Sequence, residues 1–158
     1  MKYLTLKQAI EFHDQIIATS GGLEGYNKIQ LGYLDSALKQ IQNDEYYPDF
    51  ISKLTHLMHS CIKFHPFLDG NKRSSIQIGR AFIEMNFPWV DVDDYYLEME
   101  DIVVGVAEGK ITKNDLHKKL QKILKLKTKG MRIVIKRDGS IEEFDISRII
   151  QAIEKSFS

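Results

Sequence analysis

The stretch His65-Pro66-Phe67-Leu68-Asp69-Gly70-Asn71-Lys72-Arg73 gathers an imidazole, a carboxylate, an amide, an ammonium and a guanidinium around one glycine. It separates two apolar segments of helical period. Before it, Leu54, Leu57, Met58, Cys61, Ile62 and Phe64 repeat at that spacing; after it, Ile76, Ile78, Ala81, Phe82 and Met85 do. Both segments are apolar over most of their circumference, so both belong at the centre of a helical bundle. Their joint is a loop entering a helix near Asn71, where unpaired N–H groups and the helix dipole make a place for an anion. Phosphate is the natural guest. Gly70 lets the backbone approach it or take a positive φ, and Lys72 and Arg73 supply charge. Cations just inside a helix amino terminus oppose its dipole, and a bound anion removes that conflict. Asp69 beside a phosphate makes sense where a divalent cation bridges them, as Mg²⁺ does with a carboxylate and substrate phosphates. His65, at the mouth of the loop, can take a proton from an attacking hydroxyl, and Asn71 can orient a phosphate or hold the loop. Each residue alone also has a structural reading, since Asp-Gly-Asn is ordinary turn composition.

The same run resembles the signature of the Fic/Doc family, His-x-Phe-x-(Asp/Glu)-Gly-Asn-Gly-Arg-x-x-Arg. It is most similar to the Doc (death-on-curing) branch, in which a lysine stands where Lys72 does. The resemblance extends from Leu4 to about Leu126, through His13-Asp14, Gly21-Gly22-Leu23 and the run from Val104 to Ile111. It implies an all-α Fic/Doc bundle that uses ATP and Mg²⁺. In that scheme His65 is the general base, Asp69 the metal ligand, Phe67 the buried anchor of the loop, and Gly70, Asn71, Lys72 and Arg73 the nucleotide phosphate contacts. Lys72 replaces a glycine that lies against the nucleotide in AMP-transferring members, which turns the expectation toward phosphate transfer. The final arginine of the signature is Ile76 here. That arginine would also pair with the glutamate of an inhibitory Ser/Thr-x-x-x-Glu motif, so Ser20-Gly-Gly-Leu-Glu24-Gly25 reads as a Gly-rich turn and Glu24 as a loop residue. Family members dock the target polypeptide on a flap ahead of the signature helix. The stretch from Glu45 to Phe50, with Tyr46 and Tyr47, is its candidate here, against the plainer reading of a surface loop with aromatics in the core.

The remaining composition sets bounds. A chain of 158 residues, 43% hydrophobic, supports one core of ordinary size with a small appendage. Lys and Arg total 22 and Asp and Glu total 22, so no overall field draws the chain to nucleic acid or an anionic membrane. The single cysteine, Cys61, excludes an internal disulfide and reads as a buried small hydrophobe, which fits a reducing cytoplasm. No apolar run spans a bilayer, and the amino terminus lacks a secretory apolar region.

Along the chain, Thr5-Leu6-Lys7-Gln8 has the form of a capping box before a helix that ends at Gly21-Gly22, with His13 on its face a packing or hydrogen-bonding residue rather than a catalytic one. Leu31, Leu34, Leu38 and Ile41 mark a second helix. After Pro88, Asp93 to Ala107 and Asp115 to Leu126 read as further helices, the latter opened by Thr112-x-x-Asp115. The acidic run from Asp91 to Asp101 is irregular and without histidine, so it reads as a solvated face. Arg80 and Glu84 form a helix surface pair.

The resemblance implies a Fic/Doc domain over residues 1–126, with 127–130 a linker and 131–158 a tail of different character. Met131 to Lys136 alternates, Asp138-Gly139 is a hairpin turn, and Asp145 can cap a helix through Phe157. The tail resembles the opening of an ATP-cone. A hairpin and one helix are too little to be stable alone, so this segment belongs to a longer chain or packs on the Fic/Doc domain or another subunit. The resulting expectation is a Doc-like toxin that phosphorylates a protein Ser/Thr hydroxyl; the Doc resemblance implies elongation factor Tu as target and an antitoxin partner. AMP transfer by the same histidine, a non-catalytic nucleotide-binding module, and a homo-oligomer stay open.

Overall fold

The computed structural model describes residues 1–128, 132–137 and 140–145. Among them are the helices α1 (Leu6–Ser20), α2 (Lys28–Gln40), α3 (Phe50–Lys63), α4 (Asn71–Asn86), α5 (Tyr95–Ala107) and α6 (Lys113–Thr128). Capping chemistry starts three of them. Thr5 and Gln8 close the expected box on α1, Thr112 and Asp115 do the same for α6, and Asp49 with Ser52 caps α3, a start the sequence reading had not singled out.

Helix α3 is central, touching α2, α4, α5 and α6, while α4 packs on α1, α3 and α5. Its apolar residues Leu54, Leu57, Met58 and Cys61 are fully buried, as are Ile78, Phe82 and Ile83 of α4. Phe50 stacks on Phe82 at 4.8 Å and meets Phe87 edge-on at 4.9 Å. Gly79 allows this closeness. A Cβ there would lie 2.8 Å from Met58 Sδ and 2.9 Å from Tyr95 Oη, which donates to that sulfur at 3.0 Å. Cys61 sits inside the packing, where burial pushes its thiol up to about 12, so it is no nucleophile.

Lys53 is the unexpected core residue. Fully buried on α3, its ammonium donates to the carbonyl of Ile41, just past α2, and to Asp44 Oδ1 at 2.7 Å. A cation thus meets the carboxyl end of α2 and ties the following turn to α3.

Several boundaries differ from expectation. Residue Phe50 of the expected flap is the first residue of α3 and belongs to the core, and the turns from Ile41 to Asp49 contain no strand. Helix α5 starts at Tyr95 rather than Asp93. Helix α6 starts at Lys113 and continues through Thr128, into the expected linker. The acidic residues Asp91, Asp93, Asp94, Glu98, Glu100 and Asp101 are exposed. Arg80 pairs with Glu84 at 3.5 Å and reaches Asp93 at 3.9 Å. Strands β1 (Arg132–Arg137) and β2 (Ser140–Asp145) pair antiparallel, Arg132 opposite Asp145 and Arg137 opposite Ser140. The expected turn at Asp138-Gly139 and the helix after Asp145 lie outside the described residues. No described helix is long and apolar enough to cross a membrane.

Lys53→Met keeps the side chain's bulk but leaves the Ile41 carbonyl without its donor. It is expected to cost about 1–3 kcal/mol and lower Tm by roughly 2–10 °C in thermal unfolding; an unchanged Tm would remove the lock from the account.

Candidate active site at the α3–α4 joint

The loop between α3 and α4 holds a conformation its residues do not choose freely. His65 has φ +48°, the one positive value among described non-glycine residues, and Gly70 starts α4 at φ +75°. Such backbone costs of order 1–3 kcal/mol per non-glycine residue and persists only where its surroundings over-determine it. Here they do. Asn71 Oδ1 accepts from the Phe67 N–H and its Nδ2 donates to the Phe67 carbonyl, both at 2.9 Å. Asn27 N–H donates to the Pro66 carbonyl at 2.8 Å, its Nδ2 to the His65 carbonyl at 3.1 Å, and Leu68 N–H to the Gly25 carbonyl at 3.1 Å. Phe67 is buried, and the ring stacked on it is His13, at 3.9 Å and 4°. His13 Nε2, 2.7 Å from the Asp69 carbonyl, must carry the proton of that bond. His13 therefore holds the loop from beneath. Its place on the helix suggests packing or hydrogen bonding and it does both, while the identity of the partner 56 residues away has no signal in the sequence.

Around this frame the polar groups converge. His65 and Lys72 are exposed, while Asp69 and Arg73 are partly covered. No side chain caps α4, so the N–H groups of Asn71, Lys72 and Arg73 open its amino end. Asn71 itself turns inward: of the two roles open to it, its amide performs the loop-holding one. Position 76 faces the core, with Ile76 only 2% exposed, so no cation stands there.

The segment after α1 closes one side. Arg73 Nη1 donates to Ser20 Oγ at 2.6 Å and to the Gly21 carbonyl at 3.0 Å, and Asp69 Oδ2 accepts from the Leu23 N–H at 3.1 Å. Gly22 lies between them. A Cβ there would meet Asp69 Oδ2 at 2.6 Å and Arg73 Nη2 at 3.1 Å. Gly22 is thus a close-approach residue as well as part of a turn, and the segment works through its backbone, with Glu24 exposed. Hydrogen bonds from Leu23 and from Gly70 hold the Asp69 carboxyl below its usual range, with Arg73 adding to the effect. No group of three or more His, Cys, Asp or Glu side chains suited to a metal occurs among the described residues. The ionised Asp69 still fits Mg²⁺, which commonly takes one carboxylate and completes its sphere with phosphates and water.

Tyr46 and Tyr47 are not brought to His65. Tyr47 lies tilted against His56, ring centres 4.5 Å apart, and from His56 to the end of α3 at Lys63 the helix rises about 10 Å before the loop to His65 begins.

Gly22→Ala is expected to lower stability by about 1–3 kcal/mol, since both its φ of +127° and the Asp69 contact oppose a side chain; thermal unfolding no different from wild type would contradict the close approach. The Asp69–Leu23 bond also has a pH signature. A carboxyl with a lowered folded pKa contributes above its unfolded value and loses that contribution as pH falls through the folded one. The Leu23 amide proton should therefore titrate below the ordinary Asp range by NMR and cease to do so in Asp69→Asn; a midpoint at the ordinary value would contradict the bond.

Comparison with known families agrees with this geometry. The family model described as Fic/DOC family matches residues 3–83, which contain α1 to α3, the loop and most of α4. The model described as ATP cone domain matches residues 132–158. No curated protein matches the chain. The first match covers just over half of the 158 residues and includes every contact that shapes the α3–α4 loop, and by it the chain belongs to the Fic/DOC family.

Proposed function

We propose that this Fic/DOC chain is a Doc-like transferase that moves the terminal phosphate of ATP to a Ser or Thr hydroxyl of a protein. The observation that carries the reading is the pairing of an exposed His65 on a rigidly held loop with an uncapped α4 amino terminus beside it. The nucleotide's phosphates would lie on the first-turn N–H groups, with Gly70 keeping the approach open and Lys72 and Arg73 neutralising charge. Asp69 would hold Mg²⁺, which when bound offsets the charge of the phosphates. His65 takes the proton of the incoming hydroxyl as its oxygen bonds to the γ-phosphorus, and the bond to the bridging oxygen breaks to release ADP. Asn71, His13 and Phe67 act by holding the loop.

Two features favour phosphate over AMP transfer. Lys72 projects where AMP-transferring relatives carry glycine, and the buried Ile76 supplies no second arginine. A translation factor such as elongation factor Tu is the first target to try, and a separate antitoxin is the restraint this reading calls for. The ATP-cone match suggests a second nucleotide contact in the tail.

ATP labelled separately on its α and γ phosphates, incubated with the protein and a cell lysate, tests the proposal. Only the γ label should reach protein, and His65→Ala should reduce its transfer by about 10²–10⁴-fold. Transfer of the α label would establish AMP transfer instead, and a His65→Ala variant with full biological effect would leave a docking module.

A further inference from the structure

One face of α3 carries a line of bases. His56, His59 and Lys63 are spaced three and four apart and so lie within one stripe, with His56 and His59 half-buried and Lys63 exposed. Lys113 of α6 joins them, its ammonium 2.8 Å from His56 Nδ1 and 5.8 Å from the centre of the Tyr47 ring. His56 Nε2 lies 2.9 Å from Gln40 Oε1, so the ring donates there and accepts from Lys113. No acid answers these groups. Nearby carboxylates are engaged elsewhere: Asp44 on Lys53, Asp49 on the start of α3 and Asp115 on the start of α6. No ion pair between this stripe and a carboxylate occurs among the described residues, in a chain of zero formal net charge.

Burial, with Lys113 and His59 beside it, pushes His56 down to about 4. Burial together with Lys113 and Lys63 lowers His59, and burial lowers Lys113. The histidines are thus neutral at neutral pH, and the positive charge of this face is that of Lys63 and Lys113, both close enough to act on His59, a charge that an anion laid there would answer. Beside it, Tyr46, Tyr47, Ser52 and Lys113 border an open hollow of about 430 Å³. From there the stripe runs toward the carboxyl end of α3 and His65. The rise of about 10 Å from His56 to the end of α3 is what three extended residues span.

We propose that the His56–His59–Lys63 face of α3, with Lys113 beside it, seats an extended acidic segment of the protein substrate and leads its hydroxyl toward His65. This rests on the reading of the chain as an enzyme acting on a protein. The segment would present carboxylates at about every second residue, one side of a strand, and place its leading side chain against Tyr46 and Tyr47.

Fluorescence anisotropy with the full chain tests this, using a labelled eight-residue acidic peptide containing one Thr, its Gln/Asn counterpart, and a single-stranded RNA of similar length. The acidic peptide should bind best, with affinity falling as salt rises, and Lys63→Glu with Lys113→Glu should weaken it about tenfold at low ionic strength while Mg-ATP affinity holds. Lys113→Arg should preserve binding. Should the double variant fail to fold, Lys63→Glu alone carries the test, because Lys63 is exposed. Equal binding of the neutral peptide, indifference to charge reversal, or preference for RNA would overturn the proposal. Peptide binding needs no transfer chemistry: absence of label transfer with charge-dependent binding would sink the enzyme reading alone, and the converse would sink this one alone.

Discussion

The structure depends on how the α3–α4 loop is held against its own preference. A β-carbon residue at φ +48° is maintained by the hydrogen bonds that the loop makes with Asn27, Asn71 and the Gly25 carbonyl, and by the His13 ring packed under Phe67. Those partners come from α1, from the segment before α2 and from α4, so the loop is only as rigid as the bundle around it. The bundle in turn is held by α3 and α4, whose close packing at Gly79 fixes the two ends between which the loop is strung. Fold and site are therefore one problem: burial positions the helices, and the helices impose the strain on His65.

That dependence also explains the segment from Ser20 to Leu23. It is in contact with both Asp69 and Arg73, and it approaches them closely enough that only glycine fits at position 22. Phosphates arriving at the amino end of α4 would meet an Arg73 already bonded to Ser20 and Gly21, with Nη2 still directed toward Asp69 at 4.0 Å. The loop thus meets a ligand with its charged groups already oriented, which reduces the ordering cost of binding.

Much of this was legible because it is periodic or local. The apolar repeats of α3 and α4, the capping pairs of α1 and α6 and the loop signature are all short-range patterns, and the Cys61 and acidic-run readings follow from their surroundings. What escaped is non-local. Nothing in sequence announces that His13 meets Asp69, that Lys53 reaches back to the end of α2, or that Gly22 is pressed against a carboxylate. Asn71 was ambiguous because an amide serves a ligand or a loop equally well, and only its bonds to Phe67 decide. The stretch ending at Phe50 was ambiguous for a similar reason: its aromatics suit a docking flap and a loop that sends them to the core alike, and the core claims Phe50.

The claim at the centre is that the α3–α4 joint receives the nucleotide. Backbone amide NMR during a titration of the full chain with Mg-ATP tests it most directly. The account predicts that the amides of Asn71, Lys72 and Arg73 shift first and furthest, with Leu23 following as its carboxylate partner is recruited. Shifts confined to residues 132–158, with the joint silent at saturating nucleotide, would contradict it.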